Sequence, residues 1–284
     1  MRKVAAITGS PRLQIVGAND PLLAPDEGSP VEWVNQHGRA DFLLICEHAS
    51  NRIPASLNDL GLDSEVLSSH VAWDPGAEGV ARHLAQALDA PLILQRFSRL
   101  VYDCNRPPEA ESAMPVRSEI FDIPGNVDLS DLARQRRVQA IYWPFREAIK
   151  RHLDQKVAQG VAPAVITIHS FTPIFYGQQR TVELGLLHDI HSVLADAMLA
   201  ISSEWTDLDV RRNEPYGPQD HVTHTLRVDA IARGLLNVMI EIRNDLIGHA
   251  TTQRSMAMRL AGLIAASLKR TASRQRAHDY GTAG

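Results

Sequence analysis

Three short polar clusters each follow a largely apolar run, and no other feature constrains the fold of this chain as tightly. Phe42-Leu43-Leu44-Ile45 leads into Cys46-Glu47-His48-Ala49-Ser50-Asn51, and Ala164-Val165-Ile166-Thr167 leads into Ile168-His169-Ser170. The third run, Leu235 to Ile240, ends in Glu241-Ile242-Arg243-Asn244-Asp245. Apolar runs of this length form strands buried on both faces of a parallel sheet. In open α/β sheets, ligands bind outside the carboxyl ends of such strands. Two histidines, a carboxylate and an arginine are therefore expected to converge on one rim, a combination that points to metal-assisted hydrolysis.

The rest of the chain fits around these strands. Pro11, Pro21, Pro25 and Pro30, with Gly9, Gly17 and Gly28, predict a loosely structured N-terminal arm over residues 1–30. Residues 31–270 then alternate strand and helix as one catalytic domain, and residues 271–284 form a polar, frayed tail. Strands are expected at Phe42 to Cys46, Pro91 to Gln95, Leu100 to Asp103, Ala164 to Ile168, Gly185 to Leu187 and Leu236 to Ile242. Helices are expected at Ala77 to Leu88, at Leu129 to Ala158 with a weak spot at Pro144, at His188 to Ser202, Val228 to Gly234 and Thr251 to Leu268. Pro107 to Asp128 is a long aperiodic excursion, either a lid over a small pocket or the edge of an open groove. Alternating β and α elements without a composition break predict an α/β fold: three layers, α/β/α, around a central mixed, mostly parallel sheet.

Bulk properties exclude several classes. With 29 basic and 33 acidic side chains the net charge is −4, which leaves no electrostatic footprint for nucleic acid or an anionic membrane. No segment has the ~20 apolar residues of a membrane span. Gly9, Ser10, Pro11 and Arg12 interrupt the first apolar stretch too early for a signal-peptide core. Cys46 and Cys104 alone make no disulfide framework, so the expected location is cytoplasmic. Neither a Gly-rich phosphate loop nor a Gly-x-Ser-x-Gly elbow occurs. The expected partner is a small molecule, and oligomeric state is not legible.

A catalytic zinc site takes about three protein ligands. His48 and His169 follow equivalent strands, so both reach the same crevice. Asp74, in Trp73-Asp74-Pro75-Gly76-Ala77, is the favoured third ligand, with N-capping of the next helix as its alternative role. Glu47 and His70 are rival ligands. Glu47 binds the same ion as His48 only if the chain turns there, and His70 also suits a role orienting a ligand through its ring nitrogen. Glu241 ends a strongly apolar run, where a carboxylate is either a general base or the partner of Arg243 on the same strand face. Asn105 and Arg106 follow Asp103-Cys104, placing a guanidinium suited to a bidentate grip on a carboxylate or oxyanion, or to a surface ion pair.

At these clusters the chain resembles the N-formylglutamate amidohydrolase family. The stretches that carry the likeness are Glu47 to Asn51, His70 to Gly76, Ser98 to Arg106, Thr167 to Phe171 and Ile240 to Ile247. The resemblance implies a zinc-peptidase-like fold, shared with zinc carboxypeptidases and aspartoacylases. It further implies zinc held by His48, Asp74 and His169, with Glu241 as base. Arg106 would stabilise the oxyanion, and Asn105 and Arg106 would line the substrate pocket. Arg243 or Arg180 would bind the substrate's own carboxylate. One departure is visible: those relatives pair the first histidine with a glutamate three residues on, and here that residue is Asn51. The implied activity is hydrolysis of the N-acyl amide of a small carboxylate-bearing amino acid such as N-formylglutamate. Two alternatives are a carboxypeptidase-like hydrolase of short peptides or cell-wall amides, and a metal-free binding protein of the same fold.

Overall fold

A computed structural model describes residues 21–281 of the chain. Seven strands form one mixed sheet: β1 (Val31–Val34), β2 (Phe42–Cys46), β3 (Leu92–Gln95), β6 (Ala164–Phe171), β9 (Leu184–Leu187), β10 (Val210–Arg212) and β11 (Asn237–Arg243). Two short hairpins lie outside it, β4 (Arg117–Ser118) with β5 (Phe121–Asp122) and β7 (Ile174–Phe175) with β8 (Gln178–Gln179). The order across the sheet is β1-β3-β2-β6-β11-β9-β10. Strands β3, β2, β6 and β11 run parallel; β1 and β9 pair antiparallel to their inner neighbours, and β10 runs parallel to β9.

The apolar runs are buried on both faces. On β2, Phe42, Leu44 and Cys46 face one core while Leu43 and Ile45 face the other. The first core is closed by helices α2 (Ala77–Ala87), α5 (Val193–Leu199) and α6 (Ala250–Gly281), through residues such as Val80, Leu84, Met198 and Leu260. The second is closed by α4 (Trp143–Ala158), through Phe145, Ile149 and Leu153, and by Leu100, Val101, Tyr102, Met114 and Ile123 of the irregular segment before it. Helices on both faces make the three-layer α/β/α fold that the strand-helix alternation predicts. Two further short helices are α1 (Ser64–Ser68) and α3 (Asp131–Arg137).

Several expectations are refined. Leu100 to Asp103 is not a strand: Val101 and Tyr102 donate back to the Ser98 carbonyl, so the segment turns and packs beneath the sheet. The long helix from Asp131 to Ala158 is broken as the proline predicts, by a π turn at Val138–Tyr142 just ahead of Pro144. The His188 to Ser202 helix shortens to α5, and Val228 to Gly234 is a π turn followed by a 3-10 turn. The C-terminal helix continues past Leu268 to Gly281, through the stretch expected to fray. Most of the expected N-terminal arm lies outside the described residues. Its last ten residues are anchored: Leu22 is buried, and the buried Glu27 carboxylate accepts from the Ala24 and Ala55 amides. No helix among the described residues is long and apolar enough to cross a membrane.

Candidate active site

Strand β2 ends at Cys46, and Glu47 and His48 lie in the turn that follows. The turn removes the strict alternation of a strand, so both side chains reach one buried cluster. Asp74 arrives from the loop before α2. Its amide donates to the His48 carbonyl at 3.0 Å, which ties the two segments together. Gly76 completes the turn at φ +83, and a Cβ there would stand 2.4 Å from the Ile247 carbonyl, so the left-handed glycine sets how Asp74 enters. The α2 N-cap is Gly76, without a side-chain cap bond. Asp74 is therefore not the helix cap; its carboxylate turns to the histidines instead.

The cluster is buried and directional. Asp74 Oδ2 lies 2.9 Å from His169 Nδ1 and 3.3 Å from His48 Nδ1, and accepts from the Ser170 amide at 3.2 Å. The opposite ring nitrogens face other carboxylates. His48 Nε2 bonds Asp103 Oδ1 at 2.8 Å, and His169 Nε2 stands 3.0 Å from Glu47 Oε2, an ion-pair contact out of line for a full hydrogen bond. Arg99 spans the group, with Nη2 2.8 Å from Asp103 Oδ2 and Nη1 3.5 Å from Asp74 Oδ1. One ligand atom from each of His48, Asp74 and His169 lies within 4.8 Å of the others. Glu241 is the register partner of His169 across β11 and β6; it is 5% exposed, and its Oε2 has no hydrogen-bond partner.

Electrostatics follow from this packing. Burial alone would raise the Asp74 pKa, but the charges and hydrogen bonds of His48 and His169 hold it far below the usual carboxylate range. Burial disfavours the imidazolium of His169, yet Glu47 and Asp74 push its pKa well above the ordinary histidine value. Glu241 behaves in the opposite sense to Asp74. Burial raises it, the charge of His169 opposes and the Asp74 carboxylate adds to the rise, leaving it at about 7. Four buried carboxylates thus lie with two imidazoles and the Arg99 and Arg106 guanidiniums. Buried carboxylates gathered this closely are unfavourable unless protons or cations meet them. Imidazoles whose far nitrogens are held by carboxylates are also the arrangement of metal-ligating histidines. The donor set fits a divalent metal.

The cluster opens into a cavity of about 200 Å³ lined by His48, Asp74, Arg99, Arg106, His169 and Glu241, with Phe171, Phe175 and Tyr216 on its apolar side. Arg106 lines it with a guanidinium that bonds only the Asn105 carbonyl and meets no carboxylate among the described residues, so the surface-ion-pair role falls away. Asn105 also borders the cavity; its amide donates one bond to the Val222 carbonyl and accepts one from the Thr225 amide. It pins the 222–225 segment and keeps a second amide N–H beyond these bonds. Arg180 does not line the cavity. Its guanidinium stacks 4.3 Å from the Phe175 ring and 4.7 Å from the Tyr216 ring, and donates to the Tyr216 hydroxyl.

Arg243 is outside the cavity and paired to neither Glu241 nor any group in it. It bonds Asp245, Glu183 and the Thr181 carbonyl. Substrate binding by Arg243 and a Glu241–Arg243 salt bridge are both set aside by this geometry. His70 lines the cavity but lies 2.8 Å from Glu119 at the mouth, not beside a candidate ligand. The places expected of Glu47 and His70 resolve accordingly: Glu47 stands behind His169, and Asp103, not His70, orients His48. Arg99 was missed by sequence reasoning, because residues 99–101 form a turn whose partners the spacing does not reveal.

The fold is an α/β/α sheet with a buried cluster of ionisable side chains at the carboxyl ends of its parallel strands. The model of the N-formylglutamate amidohydrolase family matches residues 40–248. The chain belongs to that family of hydrolases acting on amide bonds. The solved structure of gene product Atu2144 from Agrobacterium tumefaciens is 53% identical to it, with 88% of this chain and 98% of that chain covered and a TM-score of 0.86. N-formylglutamate amidohydrolase from Ralstonia eutropha JMP134 is 21% identical, with 88% and 99% covered and a TM-score of 0.57, a likeness of fold. Among curated proteins no match is found.

Proposed function

We propose that this chain is a zinc-dependent amidohydrolase that removes a small N-acyl group, formyl in particular, from a carboxylate-bearing amino acid such as glutamate. The observation that carries the reading is the paired orientation of the histidines. Both Nδ1 atoms turn to Asp74 Oδ2 while both Nε2 atoms face buried carboxylates. His48 bonds a carboxylate through Nε2 and His169 faces one there, which favours Nδ1 of each ring as the nitrogen that would meet a metal. His48, Asp74 and His169 would hold the ion. Zinc so held supplies Lewis acidity, polarising the scissile carbonyl and acidifying water.

The chain's own residues account for the remaining steps. Glu241, with a free buried oxygen and a pKa near the operating range, takes the proton from the attacking water and returns it to the amine nitrogen as the C–N bond breaks. The products are a small carboxylic acid and a free amino acid. Arg106, free of carboxylates, is placed to grip the substrate carboxylate or the developing oxyanion. Arg99 holds Asp74 and Asp103 in place. The apolar wall of Phe171, Phe175 and Tyr216 limits the volume beside the reacting group. The direct test is release of formate from N-formylglutamate by the purified, zinc-loaded protein. Hydrolysis that stops on chelation and returns with zinc supports the reading; full activity in the chelated protein contradicts it.

A further inference from the structure

A second cavity, of about 480 Å³, adjoins the first and belongs to no part of the proposed chemistry. Among the described residues Arg106 alone lines both, so the two spaces adjoin at Arg106. The 221–223 segment borders both spaces: Val222 lines the first cavity while His221 and Thr223 line the second. The segment is anchored. Asn105 bonds the backbone of Val222 and Thr225, Thr223 donates to Asp189 Oδ2 at 2.6 Å, and the Arg106 carbonyl accepts from the Tyr102 hydroxyl.

The lining of the second cavity is cationic. Arg106 and Arg227 face a single carboxylate, Glu109, with His221 and His224 alongside. Arg227 is 66% exposed, and its one acidic neighbour, Asp189, lies 3.9 Å away and already accepts from Thr223. A guanidinium so weakly engaged is available to an incoming anion. The first cavity, at about 200 Å³, accommodates one small amino acid with its acyl group, while the second is more than twice that size.

We propose that the second cavity is a subsite for the anionic end of a longer substrate, an N-formyl amino acid extended through a carboxyl group by a further acidic residue, with Arg227 receiving its terminal carboxylate. The inference rests on the proposed function, because a formyl group cannot itself be extended. Growth of the substrate is then possible only on the amino-acid side, past Arg106. One added residue lengthens an extended chain by up to about 3.6 Å, so a substrate held at Arg106 by its first carboxylate would carry the next toward the second cavity.

The test compares glutamate with α-glutamyl-glutamate as ligands of the full-length zinc-loaded protein by calorimetry, and N-formylglutamate with N-formyl-glutamyl-glutamate as substrates. Arg227→Glu is the variant, since Arg227 is exposed and lies outside the first cavity. The subsite predicts that the wild type binds the dipeptide at least ~10-fold more tightly than glutamate, about 1.4 kcal/mol. It also predicts that Arg227→Glu abolishes this preference and leaves turnover of N-formylglutamate unchanged. Equal binding of the two ligands by the wild type, or a preference that survives in Arg227→Glu, overturns the proposal. Where neither formyl compound is hydrolysed but the Arg227-dependent preference holds, the subsite stands and the deformylase reading fails.

Discussion

Glu241 and His169 are Cα partners across the parallel strands β11 and β6. Neighbouring strands point register partners to the same face, so this pairing places Glu241 beside a candidate ligand without help from any loop. On the other side of Glu241 the partner is Gly185, whose Cβ would collide with the Glu214 carbonyl at 2.0 Å. Glu241 therefore has a rigid strand on one flank and a closely approached backbone on the other.

Glu241→Gln keeps the side-chain shape and removes the proton acceptor. Metal content and substrate affinity are expected to stay near wild type while turnover falls ~10²- to 10⁴-fold, the range for a positioned base. Metal analysis, melting temperature and steady-state kinetics on one preparation check this. A stable, metal-loaded variant with near-normal turnover removes Glu241 from the chemistry.

Asp103 orients His48 through Nε2 and is itself held by Arg99. Asp103→Asn replaces an acceptor with a group that no longer dictates the tautomer. Zinc affinity, measured by chelator competition, is expected to drop about 10- to 100-fold, as for other partners of metal-bound histidines. Unchanged affinity would show that His48 is oriented by packing alone.

Sequence reasoning reached some of this site and not the rest, for physical reasons. His48, His169 and Glu241 were legible because buried parallel strands are apolar throughout, and a polar residue at their carboxyl ends stands out. The mixed α/β/α sheet followed from the same runs. Glu47 and Asp103 were not assigned as partners of the histidines, because their roles depend on the turn after Cys46 and on residues 99–106 turning where a strand was expected. Arg243 shares the Glu241 face by strand alternation, but β11 ends there and its guanidinium turns to Glu183 and Asp245. Asn105 sits at the cavity as expected, and the backbone of a segment more than a hundred residues away also takes one of its amide hydrogens and bonds its oxygen. Spacing alone carries no record of such distant partners.

Arg106→Lys keeps the charge and loses the planar fork. Turnover of N-formylglutamate is expected to fall at least ~10-fold, with most of the loss in kcat/KM, because the fork is what matches a carboxylate or oxyanion. Kinetics within twofold of wild type would place the substrate carboxylate elsewhere.

Gly76→Ala forces a side chain into left-handed backbone and against the Ile247 carbonyl. A destabilisation of more than about 1 kcal/mol is expected, together with weaker metal binding because Asp74 shifts. Thermal unfolding with and without zinc measures both. A variant as stable as wild type would mean that the turn tolerates the change.

His224 and Tyr142 share a hydrogen bond, with Nε2 and the hydroxyl oxygen 3.0 Å apart. Burial and the Arg146 charge push its pKa from the ordinary 6.5 down to about 4. The fold thus prefers the neutral ring, and the unfolded chain binds the extra proton between these values. Stability contributed by this preference is fully present above pH ~6.5 and is lost as pH falls toward 4, at up to about 1.4 kcal/mol per pH unit. The melting temperature of His224→Gln should accordingly fall less steeply than that of wild type between pH 6.5 and 4.5. Parallel curves would show that this histidine does not report on folding.

Metal occupancy tests the central claim most directly. The wild-type protein and His169→Ala, both purified without chelator and shown to be folded by circular dichroism, are assayed for metal by plasma mass spectrometry. About one zinc per wild-type chain is predicted, as for a three-ligand catalytic site, with loss of both metal and N-formylglutamate hydrolysis in His169→Ala. Hydrolysis by a metal-free wild type, or full occupancy in His169→Ala, would contradict it.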